Sequence, residues 1–157
     1  MRRSSRFRAL VVVVVAASLA LTGCAGTFPA DPDGTLQSVE GGELRAGVSP
    51  NGELMRVDGA EPVGDEAEAI RAFAAGLDAD VAWTVGSEET LVRQLEDGRL
   101  DLVAGGITDE TPWVDKAGVT RAYREVRDAQ GRAHNLVMLV PLGENAFLSE
   151  LEAFLSA

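Results

Sequence analysis

Small polar residues and glycines follow three of the apolar stretches that the sequence predicts as strands. Ser49 and Asn51 come after the first stretch, Ser87 after the second, and Gly106 and Thr108 after the third. Hydroxyl and amide groups can hold a ligand by hydrogen bonds, and glycine lets the backbone approach it closely. In an open parallel sheet, ligands bind outside the carboxyl ends of the strands. We therefore predict that these five residues share one ligand-binding rim, with the alternative that they only form loops.

Three larger side chains are predicted to extend this rim. Trp113 could stack on a ring or cover a hydrophobic partner. Arg121 could bind an anionic group of a ligand, and Tyr123 lies two residues further on. His134 is the only histidine, and no serine, cysteine or second histidine stands at a spacing typical of catalysis. We therefore predict neither a metal site nor an enzyme.

The charge balance of the chain is strongly acidic. Its 157 residues include 25 acidic and 14 basic side chains, which gives a formal net charge of −11. Such a chain is a poor partner for the phosphate backbone of nucleic acids, so no nucleic-acid partner is predicted. The single cysteine excludes a disulfide framework within the chain and a metal site made of several cysteines.

The first 24 residues have the plan of an export signal. Four arginines occur among residues 1–8, and a 13-residue apolar run, Ala9 to Leu21, follows them. This run is shorter than the roughly 20 residues that a membrane-spanning helix needs, so residues 1–23 are predicted to be a signal peptide. The sequence Leu-Thr-Gly-Cys at 21–24 resembles the lipobox of bacterial lipoproteins. That resemblance implies a diacylglycerol and an acyl chain on Cys24 and no other cofactor, and the alternative is an ordinary secretory signal with an incidental cysteine.

Composition and periodicity divide the remainder of the chain. Residues 24–42 are rich in Gly, Pro, Ser, Thr and Asp without a period, which predicts a flexible linker. Residues 43–157 are predicted to form one α/β domain. Within it, Ile70, Phe73 and Leu77 fall on one helical face, and acids at 65 and 66 suit the start of that helix.

Strands and helices alternate along this domain. Apolar strands are predicted at 44–48, 81–85, 100–104 and 134–141, with Ser87 as the N-cap of a helix between the second and the third. A last amphipathic helix follows residue 143. Alternation of this kind predicts a mostly parallel sheet of about five strands with helices on both faces.

Three motifs in this domain are similar to those of a known family. They are Gly-Asp-Glu-Ala-Glu-Ala-Ile at 64–70, Leu-Glu-Asp-Gly-Arg-Leu-Asp-Leu-Val-Ala-Gly-Gly-Ile-Thr at 95–108 and Thr-Arg-Ala-Tyr at 120–123. In order and spacing they resemble the family 3 extracellular solute-binding proteins, the amino-acid-type receptors of ABC importers. The tail, residues 137–155, resembles the segment with which that chain returns to its first lobe. The resemblance implies a type II periplasmic-binding-protein fold.

The chain departs from the family pattern in two respects. Family members close their ligand between two lobes, but here only a short segment around Gln130 and Gly131 stands where the second lobe would be inserted. We therefore expect a single lobe with a hairpin in place of the second. The family also places an arginine for the ligand carboxylate seven residues after the glycine that corresponds to Gly106, and that position is Trp113 here. The resemblance thus gives no carboxylate clamp, although Arg121 is a candidate replacement.

The functional expectation combines the anchor with the lobe. The resemblance implies an extracytoplasmic, lipid-anchored solute-binding protein of the cell membrane, which would be the substrate-binding component of an ABC-type importer or accessory to it. Its partners would be a small polar solute, the membrane, and an ABC permease or a second copy that completes the site. The alternative is an adaptor or sensor lipoprotein that binds a membrane protein instead of a solute.

Overall fold

The structure, a computed structural model, describes residues 29–58 and 61–157. The signal peptide and Cys24 lie outside the described residues. The helices are α1 (Thr35–Val39), α2 (Asp65–Gly76), α3 (Glu88–Glu96) and α4 (Asn145–Leu155). The strands are β1 (Glu43–Val48), β2 (Arg56–Asp58), β3 (Glu61–Val63), β4 (Asp80–Val85), β5 (Leu102–Ala104), β6 (Ala117–Val119), β7 (Arg124–Arg127), β8 (Ala133–Leu136) and β9 (Leu139–Pro141). None of these four helices is long and apolar enough to cross a membrane.

Five strands form the central sheet in the order β4-β1-β5-β9-β6. β1 pairs in parallel with β4 and β5, while β9 is antiparallel to both β5 and β6. Four of the five strands therefore run in one direction, which confirms the predicted fold class. The ends of β1, β4 and β5 define a carboxyl edge of the sheet, and their beginnings define an amino edge.

Helices cover both faces of this sheet. On one face, Leu44, Ala46 and Val48 of β1 are buried against α1, α2 and α4. Phe73 of α2 and Phe147 of α4 meet there edge to face, with ring centroids 5.7 Å apart. On the other face, α3 buries the side chains of Leu91, Val92 and Leu95 in a second cluster that includes Val103 and Leu139. Because helices cover both faces, the side chains on both sides of a central strand are buried. This explains why the sequences of these strands are continuous apolar runs.

The predicted strand at 134–141 is wrong as a single element. β8 ends at Leu136 and pairs with β7 in a separate two-stranded sheet, whereas β9 begins at Leu139 and belongs to the central sheet. Between them, the backbone N–H of Val137 donates to Ile107 O at 2.9 Å and that of Met138 donates to Thr120 Oγ1 at 2.9 Å. These two bonds satisfy the backbone where the chain passes from one sheet to the other.

The prediction of a flexible linker over residues 24–42 is wrong for residues 31–42. α1 lies inside this stretch, and the side chain of Val39 is fully buried. Glu144, which is 1% exposed, accepts hydrogen bonds from the backbone N–H groups of Asp33 and Thr35 at 2.9 Å each. A carboxylate more than a hundred residues away therefore caps α1, and no local pattern reveals such a contact.

A carboxylate from the N-terminal segment likewise caps α4. Asp31 Oδ1 accepts hydrogen bonds from the backbone N–H groups of Ala146 and Phe147, at 2.9 and 3.1 Å, in the first turn of α4. The N–H of Asn145 donates to Ala30 O at 2.9 Å. Residues 30–31 are therefore fixed beside the start of α4, at the amino edge of the sheet.

An ion pair between a buried aspartate and a partly exposed arginine explains part of the 95–108 motif. Asp101 is 1% exposed, and its Oδ2 accepts from the backbone N–H of Arg45 at 2.8 Å and from Arg45 Nε at 3.0 Å. Arg45 also donates to Gly98 O at 2.8 Å. The aspartate and the glycine of this motif thus connect the loop before β5 to β1, which is a structural role.

Candidate functional site

A groove of about 550 Å³ opens at the carboxyl edge, between the sheet and the β7–β8 hairpin. We call it the rim groove. The sheet side contributes Asn51, Glu53, Leu54, Gly106, Thr108 and Glu110. The hairpin side contributes Val126, Arg127, Asp128, His134 and Leu136. Its position agrees with the general rule that ligands of open α/β sheets bind at the carboxyl ends of the strands.

Two glycines let the loops at this edge approach each other. Gly105 has φ 138°, and a Cβ there would lie 2.1 Å from Ser49 O. Gly106 has φ 70°, and a Cβ there would lie 1.9 Å from Asn51 Nδ2. Asn51 Nδ2 in turn donates to Gly105 O at 3.2 Å. The predicted residues Asn51, Gly106 and Thr108 therefore meet in the groove, while Ser49 packs behind them.

A buried carboxylate supports this edge from below. Glu66 is 1% exposed, and it accepts hydrogen bonds from the Gly106 N–H at 2.8 Å and from the Tyr123 hydroxyl at 2.6 Å. Burial raises the pKa of Glu66 above its ordinary value, and the hydrogen bonds from Tyr123 and Gly106 and the charge of Arg124 oppose that rise. Burial, followed by the proximity of Glu66, raises the pKa of Tyr123 as well. Glu66 thus ties the start of α2 to the glycine loop and to the base of the hairpin.

The turn of the hairpin is organised by one carboxylate. Asp128 Oδ1 accepts from the backbone N–H groups of Gln130 and Arg132 at 2.9 Å each, and Oδ2 accepts from Arg132 Nε at 2.7 Å. His134 Nε2 lies 3.3 Å from the same Oδ2. The Arg132 backbone N–H, the largest of these favourable contacts, holds the pKa of Asp128 below its ordinary value, with further contributions from the Arg132 and His134 side chains. The outer wall of the groove is therefore a defined hairpin, as predicted for the segment around Gln130.

Five of the predicted rim residues do not line the groove, and Ser49, which packs behind it, is the first of them. Ser87 is the N-cap of α3, and its Oγ accepts from the Thr90 N–H at 3.4 Å. Trp113 packs against the second core cluster and donates its indole N–H to Glu88 Oε1. The structure therefore places Ser87 and Trp113 away from this groove, because each side chain is bound to α3, and their contact with a ligand stays a prediction.

Arg121 and Tyr123 are also engaged elsewhere. Arg121 Nε donates to Glu152 Oε2 of α4 at 2.8 Å, and its backbone N–H donates to Glu152 Oε1 at 2.6 Å. Arg121 is therefore paired with α4 and does not line the groove, and its role as a replacement for the carboxylate clamp stays a prediction. Tyr123 is directed to Glu66, so it supports the groove from behind instead of lining it.

The side chains that sequence reasoning missed carry most of the charge of the groove. Glu53 is paired with Arg56, Arg127 with Glu125, and Asp128 with Arg132. Their only signal in the sequence was a polar segment next to predicted strands, which is typical of any exposed loop. Over residues 29–58 and 61–157, no group of three or more His, Cys, Asp or Glu side chains is placed to hold a metal ion.

Comparison with known proteins rests on structure alone. No family model and no curated protein matches the chain. The arginine-bound domain 1 of the T. maritima arginine-binding protein TmArgBP superposes with a TM-score of 0.66 at 16% identity, over 76% of this chain and 95% of that one. The chain has the fold of one lobe of a periplasmic amino-acid-binding protein. This confirms at the level of fold the resemblance found in the sequence.

Two further structures agree with this assignment. The Salmonella typhimurium periplasmic binding protein STM4351, described as having high arginine specificity, gives a TM-score of 0.62 at 13% identity, over 72% of this chain and 91% of that one. The ancestral cationic amino acid solute-binding protein AncCDT-1 gives 0.65 at 13% identity, over 77% and 92%. In this lobe, the β7–β8 hairpin leaves from the carboxyl edge and returns to it.

Proposed function

We propose that the protein is a lipid-anchored, extracytoplasmic solute-binding protein and serves as the substrate-binding component of an ABC-type importer or as an accessory to one. The observation that carries the proposal is the rim groove at the carboxyl edge of a lobe whose structural neighbours include arginine-bound forms. A signal peptide that ends in a lipobox supports the anchored, extracytoplasmic location. The ligand is a small polar solute held by the groove residues Asn51, Gly106 and Thr108 and by the hairpin.

The anchor is tested by a single substitution. Cys24→Ser removes the thiol that the lipid would occupy, and we expect the protein to move from the membrane fraction to the soluble extracytoplasmic fraction. Several acyl chains on one residue give stable anchoring, whereas one chain gives only marginal binding. Retention of the variant on the membrane after a carbonate wash would refute the anchor.

Solute binding is tested by filling the groove. We expect some members of a panel of amino acids, amines and other small metabolites to raise the melting temperature, because a ligand bound only to the folded state stabilises it. Val126→Trp places a large ring in the groove and should abolish that rise. Val114→Trp is the matched control, since Val114 is 57% exposed and lies outside the groove. A rise that persists unchanged in Val126→Trp would show that the solute binds elsewhere.

An adaptor or sensor lipoprotein is the second candidate. The observation that favours it is that a hairpin of two four-residue strands, β7 and β8, stands in the place of a second lobe. So short a hairpin leaves the groove open to solvent on one side. Hinge closure over a ligand is unavailable to such a molecule, so an isolated groove should bind a small solute weakly. A flat solute panel, together with one specific protein captured by crosslinking through the groove, would favour the adaptor.

A further inference from the structure

The two edges of the sheet separate the groove from the N-terminal attachment. The rim groove lies at the carboxyl edge, and the β7–β8 hairpin stands on the same side. Ala30 and Asp31, which we call the tether root, lie at the amino edge, where β9 ends and α4 begins. The root and the groove are therefore on opposite sides of the domain.

The root is held in place by several hydrogen bonds. Ala30 O accepts from Asn145 N–H at 2.9 Å, and Asp31 accepts from Ala146 and Phe147 N–H through Oδ1 and from Leu36 N–H through Oδ2 at 2.8 Å. These bonds join the root to two helices, one of which runs 11 residues along the sheet. Any force on the N-terminal segment is thus applied to the amino edge of a folded body.

The size of that body can be compared with the reach of the segment. A compact domain of roughly 130 residues has a radius of gyration of about 14 Å and hence a diameter of about 35 Å. Six residues lead from Cys24 to Ala30, and six residues span at most about 22 Å whatever their conformation. With Cys24 at the bilayer surface, the tether root lies at most about 22 Å above that surface. This height is less than the diameter of the domain, so the domain cannot fit between the root and the bilayer with its groove pointing at the membrane.

We infer that the anchored protein holds its rim groove away from the bilayer, because the tether is shorter than the domain and leaves from the opposite edge. This inference rests on the lipid anchor at Cys24 that the proposed function contains. It constrains the partner. A protein that closes the groove has to reach it from the side or from the outer end of the domain, and not from directly beneath it.

The test measures the height of two labelled positions above a membrane. The chain from Cys24 onward is coupled through its only thiol to a maleimide lipid in phosphatidylcholine vesicles, so attachment does not depend on cellular acylation. Leu142→azidophenylalanine, at an exposed position of the amino edge, and Gln130→azidophenylalanine, at the hairpin turn, each carry a donor dye. Energy transfer to headgroup-labelled lipid is then compared. We expect strong transfer from position 142 and loss of most of it at position 130.

A lengthened tether provides the control. An insertion of roughly 30 Gly and Ser residues after Ala25 gives the segment an r.m.s. reach of about 33 Å, and the difference between the two positions should largely disappear. Equal transfer from both positions with the native tether would overturn the inference. A difference that survives the insertion would overturn it as well, because adhesion of one face, and not tether length, would then set the orientation. The fractionation of Cys24→Ser tests separately whether Cys24 is lipidated in the cell. If it is not, the proposed anchor fails, but the chemically coupled chain still tests how a short tether orients the domain.

Discussion

Tyr123→Phe removes the hydroxyl that donates a hydrogen bond to Glu66 behind the rim groove. The Tyr123 hydroxyl donates to a carboxylate of Glu66 that is 1% exposed, at 2.6 Å. A hydrogen bond to a charged group contributes about 1.5–3 kcal/mol to stability, and the buried carboxylate that loses it cannot be compensated fully by solvent. We therefore expect Tyr123→Phe to lower the free energy of unfolding by about 2 kcal/mol. For a domain of this size that corresponds to a fall in melting temperature of about 7 °C.

The measurement is a urea titration and a thermal scan followed by circular dichroism. Ser156→Ala is the control, because it removes an exposed hydroxyl that bonds only to Glu152 O, and its effect should stay within about 0.5 kcal/mol. In a Glu66→Gln background, the penalty of Tyr123→Phe should shrink by about 0.5 kcal/mol or more, because the charge is gone. A Tyr123→Phe variant as stable as the parent would refute the argument that Glu66 depends on this hydroxyl.

Three further predictions follow from other contacts. Asp101→Ala removes the acceptor of the Arg45 backbone N–H and side chain, and it should cost about 1–3 kcal/mol in the free energy of unfolding, measured in urea. A cost below about 0.5 kcal/mol would contradict the role assigned to the pair. Gly105→Ala should prevent or severely weaken folding, because the new Cβ would meet backbone at 2.1 Å, whereas Gly76→Ala meets open space in α2 and should be neutral or slightly stabilising. Burial raises the pKa of Glu66 in the folded state, so the folded state binds a proton on this carboxylate more tightly than the unfolded state does. The contribution of Glu66 to the free energy of unfolding is therefore greatest at pH values below its ordinary pKa of 4.5. The stability of the parent relative to Glu66→Gln should therefore decrease as pH rises above 4.5 through the raised pKa, and a difference independent of pH would disprove the shift.

Local patterns were sufficient for most of the central sheet and for α2, α3 and α4, but not for α1. The apolar stripe of Ile70, Phe73 and Leu77 repeats at helical spacing, and Ser87 is a good N-cap, so α2 and α3 could be placed from the sequence. The absence of room for a second lobe was also visible, because few residues separate Tyr123 from the returning strand. These features depend on neighbours within about ten residues along the chain.

The features that the sequence did not reveal depend on distant contacts. Glu66 occupies the first turn of α2, where an acid is expected for the helix dipole, and nothing local distinguishes it from an exposed neighbour. The sequence does not indicate which neighbour the Trp113 side chain contacts. In the structure its indole N–H donates to Glu88 of α3. The same holds for Arg121, whose partner Glu152 lies on the last helix. Of the predicted rim residues, the structure brings Asn51, Gly106 and Thr108 together in the groove, and the other five lie outside it.

The exchange of caps between Asp31 and Glu144 has a consequence for the order of folding. α1 has only five residues and depends on a carboxylate that lies 109 residues away from the N–H of Thr35. So short a helix is unstable by itself, and contacts between such distant residues form late because the intervening loop must close first. The sheet and α2 can assemble while α1 is still unformed, and the N-terminal segment is fastened only after the final helix has docked. We therefore expect the site of attachment to the tether to be among the last parts of the domain to become rigid.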